Sequence, residues 1–232
     1  MQDLANEPAG DELLDAFAAR AAHALGGGVG VAGGYATLLR ERHATELGDS
    51  GAEALNGLEA GLDRIRLFTD DLLELGALNA RPLRRATVDT TAAAAAACDR
   101  LDARARAIGA ALRLDELPRV TGDAALLERL FHHLLRGALS ALESGGGHVE
   151  ISGARRATGV RLEIRDDGPP LGSEQASAYF SPFAQWRGSG PLAGAGVGAA
   201  IARRIVERHG GSIWAEPGRR AGCVIVILLP GP

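Results

Sequence analysis

The chain opens on two long stretches with helical spacing of apolar residues. In the first, Leu13, Leu14, Phe17 and Ala21 are followed by Leu25, Val29, Ala32, Ala36 and Leu39, the stripe of an amphipathic helix that Asp11 is placed to cap. The polar run from His43 to Gly51 predicts a turn. A second helix then carries Leu55, Leu58, Leu62, Ile65 and Leu72, with Thr69 at one expected apolar position. Alternating steps of three and four residues are the seam of a coiled coil or four-helix bundle. Two helices cannot bury such a seam on every side. The pattern therefore predicts a homodimer of four helices, the alternative being a hairpin that packs on the rest of its own chain.

Gly76, Asn79 and Pro82 mark a linker, and the pattern changes after it. A short strand near Leu83 to Val88 precedes an alanine-rich helix from about Thr90 to Ile108, then a strand from Ala110 to Leu114. Asp123 is placed to cap a helix through Leu142 whose apolar set is Leu126, Leu127, Leu130, Phe131, Leu134, Ala138 and Leu142. Gly145-Gly146-Gly147 turns the chain into strands His148–Ser152 and Val160–Arg165, antiparallel because their connection is short. A last helix ends at His209-Gly210-Gly211, a strand follows, and Cys223–Leu229 closes the chain. Strands interleaved with three helices predict an α/β sandwich with its helices on one sheet face, so the fold class is α+β with domains 1–80 and 81–232.

Composition narrows the possibilities. The net charge is −4 and no basic run exceeds paired arginines, so nothing favours nucleic acid or an anionic membrane as partner. No apolar segment reaches the roughly 18 residues of a membrane span, and the acidic start lacks the features of a signal peptide. The expectation is a cytoplasmic chain without membrane insertion that receives any signal through a partner, a dimer contact or a further region. Cys98 and Cys223 stand far apart without metal-ligand company and read as reduced thiols.

The chemistry concentrates in the last quarter. Asp166-Asp167-Gly168-Pro169 follows a strand, and Gly194-Ala195-Gly196-Val197-Gly198 opens a helix. A carboxylate can accept a hydrogen bond from the exocyclic amine of a base. Glycines let backbone N–H groups approach phosphate at the positive end of a helix dipole. Either motif alone is also a common turn or cap; their order is more specific.

That order resembles the ATP-binding domain of the sensor histidine kinases of bacterial two-component systems, a sandwich of the histidine-kinase/Hsp90-like ATPase type. LEIRDDGPPL is similar to its first glycine box, AYFSPF to its aromatic box and GAGVGAAIARRIVERHGGSIWAE to its second glycine box. DAALLERLFHHLLRGALSALESGGGHVEI is similar to the helix of the asparagine box and the strand after it. FAARAAHALGGGVGVAGGYATLLRER is similar to the helix that bears the phosphorylated histidine, with His23 at the matching place. On the residues alone, His23 is as readily an ordinary helix histidine.

The resemblance implies ATP as substrate, His23 as phosphoacceptor and a response-regulator receiver domain as partner. Asp166 and Gly168 are implied at the adenine, Gly194, Gly196 and Gly198 at the phosphates. Phe180 and Phe183 are implied beneath a lid formed by Gln185 to Ala193. Several positions depart from the family pattern. Ala24 replaces the acidic neighbour of the histidine, and Gly27 and Gly28 replace a Thr or Asn and a proline. Gly26 to Gly28 either preserve the bend that proline would supply or form a hinge. Pro170 replaces the second glycine of the first glycine box. Gly137 replaces the asparagine that normally holds magnesium, which removes that metal contact. His133 is a possible polar substitute, and Arg136 either neutralises phosphate or lies on the helix surface. The readings that remain are a histidine kinase of weakened activity and a dimeric phosphotransfer or scaffold protein with a vestigial pocket. A third, a serine kinase of an anti-sigma antagonist, leaves the hairpin without a role.

Overall fold

The structure is a computed structural model that describes the backbone of residues 8–78, 82–142, 145–181, 196–218 and 221–231. Side chains are described from Ala24 onward within those ranges, with Arg20 and Ala22 before it. The chain divides into two compact units, Met1–Ala80 and Arg81–Pro232.

The first unit is a hairpin of α1 (Pro8–Arg42) and α2 (Ala44–Ala77). Asp11 lies inside the first turn of α1 rather than capping it, because the helix begins at Pro8. The turn predicted over His43 to Gly51 is also shorter. Only His43 separates the helices, and α2 carries one break in helical backbone, at Gly48 (φ 59°, ψ −175°). α1 runs through Gly26 to Gly28 as continuous helix. Val29 and Ala36 of α1 pack against Leu55 and Leu62 of α2, flanked by Ala32 and Leu47. Arg40 fixes the register from outside: its Nε and Nη2 donate to the two carboxylate oxygens of Glu59 at 2.9 and 2.6 Å, and Nη2 also to Asn56 Oδ1 at 2.7 Å.

The heptad positions of α2 divide between two environments. Leu55, Leu62, Thr69 and Leu72 are buried, Thr69 returning its hydroxyl to the Ile65 carbonyl at 2.7 Å. Leu58 and Ile65, on the other half of the seam, remain 47% and 39% exposed, as do Leu25, Val31 and Tyr35 of α1. One hairpin thus covers half of its apolar seam.

The second unit is a two-layer sandwich. Its elements are β1 (Ala86–Val88), α3 (Thr90–Ala107), β2 (Ala110–Leu114), β3 (Val120–Gly122), α4 (Ala124–Leu142), β4 (Gly147–Arg156) and β5 (Gly159–Asp166). They continue as α5 (Ser173–Ala178), α6 (Val197–Arg208), β6 (Ser212–Pro217) and β7 (Cys223–Leu229). A five-stranded sheet runs in the order β2-β4-β5-β7-β6, with β2 parallel to β4 and the other pairs antiparallel; β1 and β3 form a separate ladder. α3, α4 and α6 cover one sheet face as predicted, with α4 in the middle, between α3 and α6. Leu127, Leu130, Phe131, Leu135 and Leu139 of α4 are fully buried against the inward row of Val149, Ile151, Leu162, Ile164 and Ile227. The sequence reading missed β3 and α5, whose three and six residues leave little period to detect.

Asp123 caps α4, its Oδ1 accepting the N–H groups of Ala125 and Leu126 at 3.1 and 3.3 Å. His209, fully buried after α6, ties the far end of that helix to the same place. Its Nε2 accepts the Asp123 N–H at 3.0 Å and its Nδ1 donates to the Ile205 carbonyl at 2.7 Å. Those roles fix the neutral tautomer. Among the described residues no helix is long and apolar enough to cross a membrane, and both cysteines are free thiols.

Burial lowers the pKa of His209; Arg85 and Arg208 add to this, against the upward pull of the Ile205 carbonyl and the Asp123 carboxylate. Unfolding frees an imidazole that binds a proton below about pH 6.5, a proton the folded state resists, so stability falls as pH drops through that value. Both tryptophans, Trp186 and Trp214, belong to this unit, so their fluorescence follows its unfolding. At about pH 7.5, His209→Gln should cost about 1–3 kcal/mol for the lost buried hydrogen bonds. Between about pH 7.5 and about pH 5.5 the parent's urea midpoint should fall more than the variant's. Equal slopes would contradict a neutral, buried His209.

Candidate nucleotide site

The turn after β5 separates two adjacent carboxylates. Asp166 ends the inward row of the strand, opposite Val149 on β4 and Cys223 on β7, and is 4% exposed. Its Oδ1 accepts the Gly168 N–H at 3.1 Å, an Asx-type turn that orients the carboxylate. Gly222 (φ 72°) lies directly on the Asp166 carbonyl, where any Cβ would collide. Asp167 points the other way. It accepts the His148 N–H at 2.7 Å and contacts His148 Nδ1 at 3.2 Å. Burial raises its pKa, but those two hydrogen bonds and the imidazole charge outweigh the effect and hold it low. Of the two carboxylates, only Asp166 lies on the inward, helix-covered row of the sheet.

The entrance of α6 supplies the second half. Gly196 is in left-handed conformation (φ 73°) at its N-cap, and Val197 begins the helix. The first N–H groups of a helix lack partners within it and carry the positive end of its dipole. Gly198 packs against α4: a Cβ there would stand 3.0 Å from Arg136 Nη2 and 3.2 Å from His133 Nδ1. Arg136 and His133 are only 9% and 5% exposed, and Arg136 Nη2 donates to His133 Nδ1 at 3.3 Å. Arg136 is thus buried beside the glycine entrance and not on the helix surface. Gly194, Phe183 and the segment Gln185 to Ala193 lie outside the described residues.

Gly137 faces the same region. A Cβ on it would stand 3.5 Å from the Tyr179 hydroxyl, an ordinary van der Waals contact. Tyr179 follows α5 and stacks edge-on against buried Phe180, ring centres 5.0 Å apart. The sequence reading missed Tyr179 and Gly222. The tyrosine was visible in AYFSPF, but nothing in its spacing showed that it reaches α4.

The residues present do not suit a magnesium ion. A hard divalent cation takes oxygen ligands, whereas this corner presents a guanidinium, an imidazole and one phenolic hydroxyl. Among the described residues no group of three or more His, Cys, Asp or Glu is arranged to hold a metal.

A cleft of about 370 Å³ also opens at this turn, lined by Arg113, His148, Glu150, Arg165, Asp166, Asp167 and Ala221. Arg113, Glu150 and Arg165 occupy one cross-strand row, on the sheet face opposite the helices. Its size does not make it the nucleotide site. His23 lies within α1, and its side chain is outside the described residues; the neighbouring Ala24, Gly27 and Gly28 are exposed.

Residues 122–232 match the family of histidine kinase-, DNA gyrase B-, and HSP90-like ATPases. The chain is 31% identical over 171 residues to the sensor protein CutS of Streptomyces coelicolor, an alignment covering 72% of this chain and 41% of CutS. It is 36% identical over 110 residues to the signal transduction histidine-protein kinase BaeS of Escherichia coli, covering 47% of this chain and 23% of BaeS. The chain thus spans less than half the length of these relatives. Among solved structures, the mycobacterial sensor histidine kinase MprB superposes with a TM-score of 0.54 at 26% identity, covering 63% of this chain and 97% of that one. Full-length ShkA in complex with AMPPNP shares the fold more widely, with a TM-score of 0.65 at 23% identity over 94% of this chain and 45% of its own. So does ThkA in complex with the response regulator TrrA, with a TM-score of 0.65 at 21% identity over 95% and 62%. Residues 122–232 are accordingly a histidine kinase-, DNA gyrase B-, and HSP90-like ATPase domain, and the relatives and solved structures this chain resembles are sensor histidine kinases.

Proposed function

We propose that the chain is the transmitter region of a two-component signalling kinase. ATP binds with its adenine at Asp166 and Gly168 and its phosphates at the entrance of α6, through Gly194, Gly196 and Gly198. An imidazole nitrogen of His23 attacks the γ-phosphorus, the bond to ADP breaks, and ADP leaves with the electron pair. A receiver-domain aspartate of a response regulator then takes the phosphoryl group from the imidazole. The observation that carries this reading is the buried, turn-oriented carboxylate of Asp166 in a kinase-type ATPase fold whose α6 opens on glycine. The complex of the similarly folded ThkA with a response regulator supports the choice of partner.

A second reading is favoured by two residues. Ala24 supplies no base beside His23, and Gly137 supplies no metal ligand. General-base help is typically worth about a hundred- to ten-thousand-fold. A phosphotransfer or scaffold protein would need neither residue, since the receiver brings its own aspartate.

Incubation with labelled ATP separates the two. The kinase reading expects acid-labile label on the parent, none on His23→Ala, and transfer to a receiver domain. No label on the parent, together with acid-labile phosphate taken from a phosphorylated receiver, would replace it with the phosphotransfer reading.

The hairpin's half-covered seam supports a homodimer in which Leu58 and Ile65 meet a second copy. Leu62 is the wrong position at which to test this, because it is already buried within one hairpin. Leu58→Glu combined with Ile65→Glu should convert dimer to monomer in sedimentation equilibrium while the helical circular dichroism is retained. A parent that is monomeric at micromolar concentration would remove the dimer.

A further inference from the structure

The corner where the family places magnesium is built differently in this chain, and the differences belong together. Gly137 gives up the side chain that would hold the metal, and the Tyr179 hydroxyl stands 3.5 Å from where its Cβ would be. On the preceding residue, the Arg136 guanidinium is buried and donates to His133 Nδ1 at 3.3 Å. The pair presses on Gly198, in the first turn of α6, so closely that a Cβ there would need one or the other to yield. A guanidinium keeps its charge under all working conditions and forks onto phosphate oxygens. A divalent cation placed beside it would meet like charge. The helix dipole adds positive character from the other side.

We propose that this pocket neutralises the phosphates of its nucleotide with Arg136, His133 and the first turn of α6, with the Tyr179 hydroxyl in place of the asparagine amide, so that binding does not depend on magnesium. This rests on the nucleotide reading above and specifies its ligand: a free nucleoside polyphosphate rather than its magnesium complex. Arg136 is a binding residue in this account, aimed at phosphate and indifferent to the base.

Calorimetric titration of the full chain with ATP, once with EDTA and once with magnesium, tests the proposal; adenosine is titrated in parallel. ATP affinity should agree within about twofold between the two conditions. Arg136→Gln should weaken ATP about tenfold or more, as loss of a charge-assisted contact does, and leave adenosine unchanged. Because Arg136 is buried, circular dichroism and adenosine binding verify that the variant folds. His133→Asn provides a second route to the same selective loss of ATP affinity. Arg113→Gln, on the opposite sheet face, is the control that should change nothing. ATP binding more than about tenfold tighter with magnesium, or equal losses of ATP and adenosine in both α4 variants, would overturn the proposal. If neither ATP nor adenosine binds the parent, the nucleotide reading fails as well.

Discussion

The second unit depends on how α4 and α6 are held side by side. His209 holds one end, accepting the Asp123 N–H and donating to the Ile205 carbonyl. It is fully buried, and a Cβ on neighbouring Gly122 would collide with its ring. From that point the two helices run antiparallel. Thirteen residues along α4 from Asp123 stands Arg136, and eleven residues back along α6 from His209 stands Gly198, spans of about 20 and about 17 Å at the helical rise. A lock at the structural end thus sets the contact at the chemical end, where Gly198 lies against Arg136 and His133. The Asp123 carboxylate joins this lock to the rest of the fold through α4's first N–H groups and the Arg84 N–H at 3.0 Å.

The two ends of the proposed nucleotide pocket follow different physical rules. At the base end, position decides: Asp166 closes an inward-facing row of a central strand, so its carboxylate is buried and held by the turn, while Asp167 turns out toward His148 and serves the strand turn. At the phosphate end, charge decides, through a helix terminus and a buried guanidinium. The family's metal ligand is absent, yet the corner is filled, because Tyr179 reaches over Gly137 from the segment after α5. In the separate hairpin, half of the heptad seam stays open, with Leu55 and Leu62 covered and Leu58 and Ile65 exposed.

Much of this was legible from periodicity. The apolar spacing of α4, the alternation in β5 and the unbroken apolar run of β7 placed the sandwich, and Asp123 was recognisable as a cap because a short polar side chain precedes a long apolar stripe. Asp11 misled for the complementary reason: an acidic residue in the first turn of a helix resembles a cap whenever the true start lies a few residues earlier. Gly26 to Gly28 predicted a distortion, yet α1 continues through them; the cost of glycine is small beside the packing of a long helix. The two heptad rows read alike as sequence, and only the packing of α1 on α2 divided them. Contacts that cross the fold, Tyr179 over Gly137, Gly222 on Asp166 and Arg136 on Gly198, leave no periodic trace, since each joins residues distant along the chain.

The central claim is that adenine nucleotide lies between the Asp166 turn and the α6 entrance. Amide hydrogen exchange with and without saturating ATP tests it residue by residue. The first N–H groups of α6 have no partner within their helix, so ligand contact at Val197 to Ala199 should slow their exchange, together with that of Gly168. The edge strand β2 and the His148–Asp167 turn that line the outer cleft should exchange unchanged. Protection confined to that cleft, or none at the α6 entrance, would contradict the account.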